Sequence, residues 1–229
     1  MIVVPAPLET TVESFENTIR RLTPFYKRFQ VDIADGTFVP NKTVQIADIS
    51  HLSSLVQRGT IFDFHLMVQD PISHIEMIKE LKGIALGTVL IHSSVFPSFK
   101  LLVSRYPLLR FGLVLSPDDL VKTIDSALIK QLPSLQVMTV QPGFQGSSFI
   151  EDMLTKIEQL RKGGFMGEIL IDGSVNEKTI PSILSCPYKP DVLGIGSYLT
   201  KAPPADLPRR VEYLKQAIHH LSITVDSTE

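Results

Sequence analysis

The sequence predicts an α/β protein: a single (β/α)8 TIM barrel spanning residues 1–229. Three observations predict it. Short, branched apolar runs alternate with longer stretches of helical spacing along the whole chain, the pattern of βαβ units and a parallel sheet. About eight such pairs can be placed, which is the count of this barrel. The first strand is followed by Pro5-Ala6-Pro7, where an open doubly wound sheet would want a glycine-rich turn.

Taken in order, IVVP opens the chain and TVESFENTIRRL follows with helical spacing. RFQVDIA is the second strand, followed by a loop and the helical pattern QIADISHLSSL. FDFHLMV precedes DPISHIEMIKELKG, GTVLIHSSV precedes SFKLLVSRY, and RFGLVLS precedes DDLVKTIDSALIKQL. LQVMTV leads to SSFIEDMLTKIEQLRKGG, EILIDGS to NEKTIPSIL, and DVLGIGSYL to PADLPRRVEYLKQAIHHL. The tail ITVDSTE reads as frayed.

Composition excludes several classes. The chain is 44% hydrophobic and 20% charged, with a net charge of −2, so no basic surface for nucleic acid or membrane is expected. One cysteine, Cys186, rules out an internal disulfide framework and a cysteine-based metal cluster. No apolar run approaches the ~18 residues of a membrane span. The N-terminus lacks the basic lead of a signal peptide. A cytoplasmic protein is expected.

In such a barrel the active site gathers at the C-terminal ends of the strands. Alternation puts Gln30, Asp32 and Ala34 on one face of the second strand, and Asp63, His65 and Met67 on one face of the third. A carboxylate on a buried face is costly unless it is paired or functional. His92 lies on strand four, Met138 on strand six, and Asp172-Gly173-Ser174 ends strand seven. Each residue also has a plain structural reading. His65 can be a hydrogen-bonded core histidine, and Asp35-Gly36 a tight turn. Met67 and Met138 can be core fillers, the glycines turn residues, and a strand-end aspartate a helix cap. The conjunction says more. Asp32, His65 and Asp172 all fall at inward strand ends, and glycine-bearing turns that admit phosphate to backbone N–H groups follow strands six, seven and eight.

The segments VDIADGTFVPN, FDFHLMVQDP, VMTVQPGFQGSSFI, ILIDGSVNEKTI and IGSYL, in this order and spacing, resemble the ribulose-phosphate 3-epimerase family. The resemblance implies a TIM barrel that inverts C3 of a ketose phosphate: D-ribulose 5-phosphate to D-xylulose 5-phosphate, or a related ketose phosphate. It implies two catalytic aspartates, Asp32 and Asp172, around a divalent metal cation (Zn, Mn, Mg, Fe or Co). The metal ligands it implies are Asp32, His65 and Asp172, with Gln30 in place of the usual histidine. Its substrate-binding positions are His65, Met67, Met138, Gly143, Gly146, Gly173, Ser174, Gly196 and Ser197. The partners expected are a small-molecule sugar phosphate and a second copy of the chain in a homo-oligomer, with no nucleic acid and no membrane.

The departures from the family pattern lie close to the chemistry. Besides Gln30, Ala34 replaces a methionine, Ala6 a serine and Ser174 a second glycine; Gln145 interrupts a glycine pair, and Ser94 stands where an acid is frequent. Two readings follow. One is an active epimerase with two-aspartate acid/base transfer at a metal-assisted site. The other is a lapsed barrel that binds a sugar phosphate or a protein partner. No Lys or Arg lies in the glycine turns themselves, so backbone N–H groups are expected to dominate phosphate binding.

Overall fold

The structure, a computed structural model, describes residues 1–143 and 146–224, and of residues 219–224 only the helical backbone. The frayed tail beyond 224 and Gln145 lie outside the described residues. Eight strands form one sheet: β1 (Ile2–Pro5), β2 (Arg28–Ala34), β3 (Ile61–Met67), β4 (Ala85–His92), β5 (Arg110–Leu115), β6 (Ser134–Met138), β7 (Glu168–Asp172) and β8 (Val192–Ile195). The order is β1-β8-β7-β6-β5-β4-β3-β2, and every paired neighbour runs parallel. β1 and β2 are the two ends of the sheet. They are drawn together by Asp32 N–H donating to Pro7 O at 3.4 Å, so the barrel is nearly closed.

Helices α1 (Val12–Leu22), α2 (Pro71–Lys79), α3 (Phe99–Arg105), α4 (Ser126–Gln131), α5 (Thr155–Lys162), α6 (Ile180–Ser185), α7 (Ser197–Thr200) and α8 (Leu207–Thr224) connect or follow the strands. Their local causes are legible. α1 starts at Thr11, whose hydroxyl accepts from Ser14 N, and carries Glu13 in its first turn and Arg20 and Arg21 in its last. It buries Phe15, Ile19 and Leu22, one stripe at helical spacing worth about 1.5–3 kcal/mol per side chain. α2 starts at Asp70, which accepts from Ile72 N and Ser73 N, with Pro71 in the first turn.

One element differs from the sequence reading. QIADISHLSSL forms two 3-10 turns, Ile46–Ile49 and Leu52–Ser54, rather than an α-helix. Its buried residues Ile46, Ile49 and Leu52 recur every third position, which is the 3-10 repeat.

Strand alternation sorts two cores. Phe29, Val31 and Ile33 of β2 and Phe62, Phe64 and Leu66 of β3 face the helices. Val4, Leu90, Val114, Met138, Val140, Leu170 and Val192 fill the barrel interior. The interior is polar at both ends. At the N-terminal end Arg28 donates Nε to Asp63 at 2.6 Å and forms a two-toothed pair with Glu168, 2.8 Å on each arm. Asp63, fully buried, also accepts from Thr88 N at 2.7 Å. That charged floor leaves the C-terminal mouth for chemistry.

Candidate active site

The inward residues near the ends of β2, β3, β4, β6 and β7 converge at the mouth. Strand register brings Asp32 beside His65 and Met138 beside Asp172. His65 Nδ1 lies 3.2 Å from Asp32 Oδ1 and 3.6 Å from Asp172 Oδ2. Gln30 Nε2 donates to Asp32 Oδ1 at 3.0 Å and to Asp172 Oδ2 at 2.6 Å. Gln136 Nε2 lies 3.4 Å from Asp172 Oδ2. On the far side, His65 Nε2 meets His92 Nε2 at 2.9 Å, and His92 Nδ1 meets Ser116 Oγ at 3.0 Å.

The electrostatics separate these groups. Burial first, and then the negative charge of Asp32, push the Asp172 carboxyl up to about 7. It therefore keeps a proton into the neutral range, the condition for a carboxyl to act as an acid there. Burial, reinforced by His65, holds His92 well below the ordinary histidine value, so it is neutral.

Asp32, Asp172, His65, Met67, Met138, Gly143, Gly146, Gly173, Ser174, Gly196 and Ser197 all line one cavity of about 480 Å3 at the mouth. Gln30 is buried beneath that lining. Ala6 lines the cavity too, and Ala34 packs with Val39 and Met67 just outside it. Asp35 follows the plain reading. Its carboxylate accepts from Thr37 N, Phe38 N and Gln69 N and so organises the turn at Gly36.

The loop after β7 is fixed from below. Thr139 donates its hydroxyl to Gly173 O at 2.6 Å and its N–H to Asp172 O at 2.8 Å. Gly173 has φ 123°, and a Cβ there would come within 2.6 Å of Val140 Cγ2, so glycine alone fits. Ser174 has φ 52°, a left-handed conformation, and its hydroxyl donates to Ser147 O, tying this loop to the one after β6. Among the described residues, the N–H groups of Ser174, Gly196 and Ser197 find no protein acceptor.

Three features escaped the sequence reading. Gln136 shares the parity of Met138 on β6, and that parity was the available signal. Lys178 lines the cavity from the loop after β7, a cation outside the glycine turn itself. The contact between His65 and His92 has no signal in spacing, because it depends on how far the strands are staggered.

Asp32, His65 and Asp172 each offer a ligand atom, and the three atoms lie within 4.8 Å of one another. One imidazole nitrogen and two carboxylate oxygens suit a divalent cation. The fourth position differs. Gln30 turns its nitrogen, not its oxygen, toward the acids, and its Oε1 is buried with no partner among the described residues. The donor set therefore fits a cation through three residues. Gln30 would become a fourth ligand, through its oxygen, only by turning its amide over.

Fold and site together define a barrel protein with a pair of buried carboxylates beside a histidine at its C-terminal mouth. The sequence pattern of the ribulose-phosphate 3-epimerase family matches residues 3–199. The chain belongs to that family. It is 33% identical over 171 residues to the ribulose-phosphate 3-epimerase of Encephalitozoon cuniculi, covering 73% of each chain. It is 26% identical over 205 residues to that of Schizosaccharomyces pombe, covering 88% of each. Among solved structures, KGPDC of Streptococcus mutans superposes with a TM-score of 0.64 at 12% identity, over 95% of this chain and 97% of that one. OMP decarboxylase of Leishmania donovani gives 0.61 at 11% identity, over 94% and 92%. These two likenesses concern the barrel alone. Among the described residues, no helix is long and apolar enough to cross a membrane.

Proposed function

We propose that the protein epimerises a ketose phosphate at C3, interconverting D-ribulose 5-phosphate and D-xylulose 5-phosphate or a closely related pair. The observation that carries this reading is the juxtaposition of Asp32 and Asp172, one of them holding a proton to about pH 7, over a cavity with glycine-bearing loops.

Epimerisation beside a ketone removes the C3 proton from one face and returns one to the other. Asp32 and Asp172 come from β2 and β7, so they approach substrate from two sides. In one direction Asp32 takes the proton and Asp172 gives its own; in the other direction the roles exchange. The pair needs one proton between them either way, and that proton belongs to the pair. Negative charge develops on the substrate oxygens as C3 is deprotonated. The donors of Gln30 and Gln136, through Asp172, hold the acids against that change. Asp32, His65 and Asp172 would hold a divalent cation. When bound, it would supply positive charge against the developing oxyanion.

The N–H groups of Ser174, Gly196 and Ser197, which find no acceptor among the described residues, are the phosphate donors of this reading, with Lys178 adding charge from the rim. Met67 and Met138 give the sugar an apolar wall.

The test is exchange of the C3 proton of ribulose 5-phosphate with deuterated solvent, together with the metal content of the purified protein. Asp32→Asn and Asp172→Asn should each lower turnover by about 100-fold or more. Each should still exchange the C3 proton of one epimer. Near-normal turnover in either variant sinks the two-acid mechanism. Binding of the sugar phosphate without C3 exchange would favour the lapsed barrel, the reading that the Gln30 substitution supports.

A further inference from the structure

The side-chain contacts of the two acids are unevenly shared between their oxygens. Asp32 Oδ1 meets Gln30 Nε2 at 3.0 Å and His65 Nδ1 at 3.2 Å. Asp172 Oδ2 meets Gln30 Nε2 at 2.6 Å, Gln136 Nε2 at 3.4 Å and His65 Nδ1 at 3.6 Å. Among the described residues, no side chain donates to the other oxygen of either acid. Gln30 itself is 1% exposed. Its amide nitrogen serves both acids while its amide oxygen has no partner among the described residues.

A buried amide oxygen without a partner costs free energy, and buried polar groups normally avoid that state. The arrangement is explained if the residue is held for its two N–H groups. A carboxamide carries two donors on one nitrogen, and here each is aimed at a different carboxyl. An imidazole at this position could offer at most one nitrogen to the pair, and a metal ligand offers a lone pair and no proton. Gln30 can therefore do what neither does. It can bridge the acids directly, as a neutral group.

We propose that Gln30 is a positioning residue that bridges Asp32 and Asp172 by hydrogen bonds, keeping the acid pair assembled without a cation. The bridge pins one oxygen of each acid and leaves Asp32 Oδ2 for proton traffic with substrate, while the Asp172 carboxyl also takes the Gly173 backbone N–H. Its catalytic consequence rests on the epimerase reading; the bridge itself does not. In the bridging orientation both N–H groups of Gln30 are spent on the acids, and ligation through Oε1 would need the amide turned over. The distinction can therefore be measured.

The experiment uses the full chain, stripped with a chelator and checked by elemental analysis. Three readouts are taken: solvent exchange of the Gln30 side-chain amide protons by 15N NMR, turnover of ribulose 5-phosphate with and without added Zn2+ or Mn2+, and affinity for inorganic phosphate. Gln30→Met keeps length and burial but has no donors; Gln30→His restores an imidazole. In the stripped wild type the amide protons should exchange slowly and turnover should persist. Stripped Gln30→Met should lose turnover by about tenfold or more, the scale of a charge-assisted pair of hydrogen bonds. Its phosphate affinity should stay within about twofold, showing a folded site. Gln30→His should bind Zn2+ more tightly and need it for turnover. The proposal is overturned if stripped wild type is inactive until metal is added, if stripped Gln30→Met matches wild type, or if the Gln30 amide protons exchange freely. If no preparation turns over a ketose phosphate, the epimerase reading falls, and amide exchange alone decides whether the bridge exists.

Discussion

His65 and His92 meet nitrogen to nitrogen, Nε2 to Nε2 at 2.9 Å, both fully buried. Two imidazoles in that geometry share a single proton between the facing nitrogens, one donating and the other accepting. The far nitrogen of His92 is engaged by Ser116 Oγ, so the orientation of His65 is set two residues away from the acids. Replacing His92 by Phe leaves His65 Nε2 buried with no partner. His92→Phe is expected to lower kcat/KM by about 10–100-fold, the usual effect of removing a group that orients a site histidine. Ser116→Ala, which spares the His65–His92 contact, should cost less. Unchanged kinetics in His92→Phe would make His92 a packing residue only.

Asp172 makes stability depend on pH in a direction opposite to most carboxylates. It keeps its proton in the folded chain to about pH 7, against an ordinary value of 3.8. Between those values the folded protein binds more protons than the unfolded chain, so its stability falls as pH rises through the window and levels off above it. Asp172→Asn should flatten that dependence and be more stable than wild type above about pH 7. Urea unfolding at about pH 5 and pH 8 measures it. Equal pH dependence in the two proteins would show that Asp172 titrates normally. The same proton predicts kcat/KM falling above about pH 7 in both directions of reaction, as the pair loses what it shares.

Ser174 holds a left-handed backbone at φ 52° while its hydroxyl ties two loops together. The two effects can be separated by substitution. Ser174→Ala keeps the strain and loses the bond; Ser174→Gly loses the bond and relieves the strain. Ser174→Gly should therefore be more stable than Ser174→Ala by about 1 kcal/mol, with wild type close to the glycine variant. A denaturant titration that ranks alanine above glycine would contradict the strain.

Arg28 is the sole cation on the fully buried Asp63 among the described residues. Arg28→Met leaves that carboxyl unpaired and should cost about 3–5 kcal/mol. Adding Asp63→Asn, which keeps an acceptor for Thr88 N, should recover more than half of the loss. If the double variant is no more stable than Arg28→Met, charge burial is not the source of the cost.

Much of this was readable in advance because a strand's parity fixes which way each side chain faces. Asp32, His65 and Asp172 fell on inward positions near strand ends, and they do converge. Parity also held the floor in plain view, since Arg28, Gln30 and Asp32 alternate on one face, but the partner Glu168 lies across the barrel on β7. Spacing within a strand carries no information about a neighbour across the lumen. The same limit hid the bridging of two acids by Gln30, while the stagger of β3 against β4 hid the His65–His92 contact. In QIADISHLSSL, apolar residues three apart satisfy a helical template loosely and a 3-10 turn closely, and the structure follows the tighter period.

The charged floor has a consequence for traffic. Arg28, Asp63 and Glu168 bar the far end of the lumen, so whatever reaches the acids comes through the mouth and departs by the same doorway. A departing sugar phosphate and an arriving one must then take turns at a single threshold, and each epimer competes directly with the other for entry.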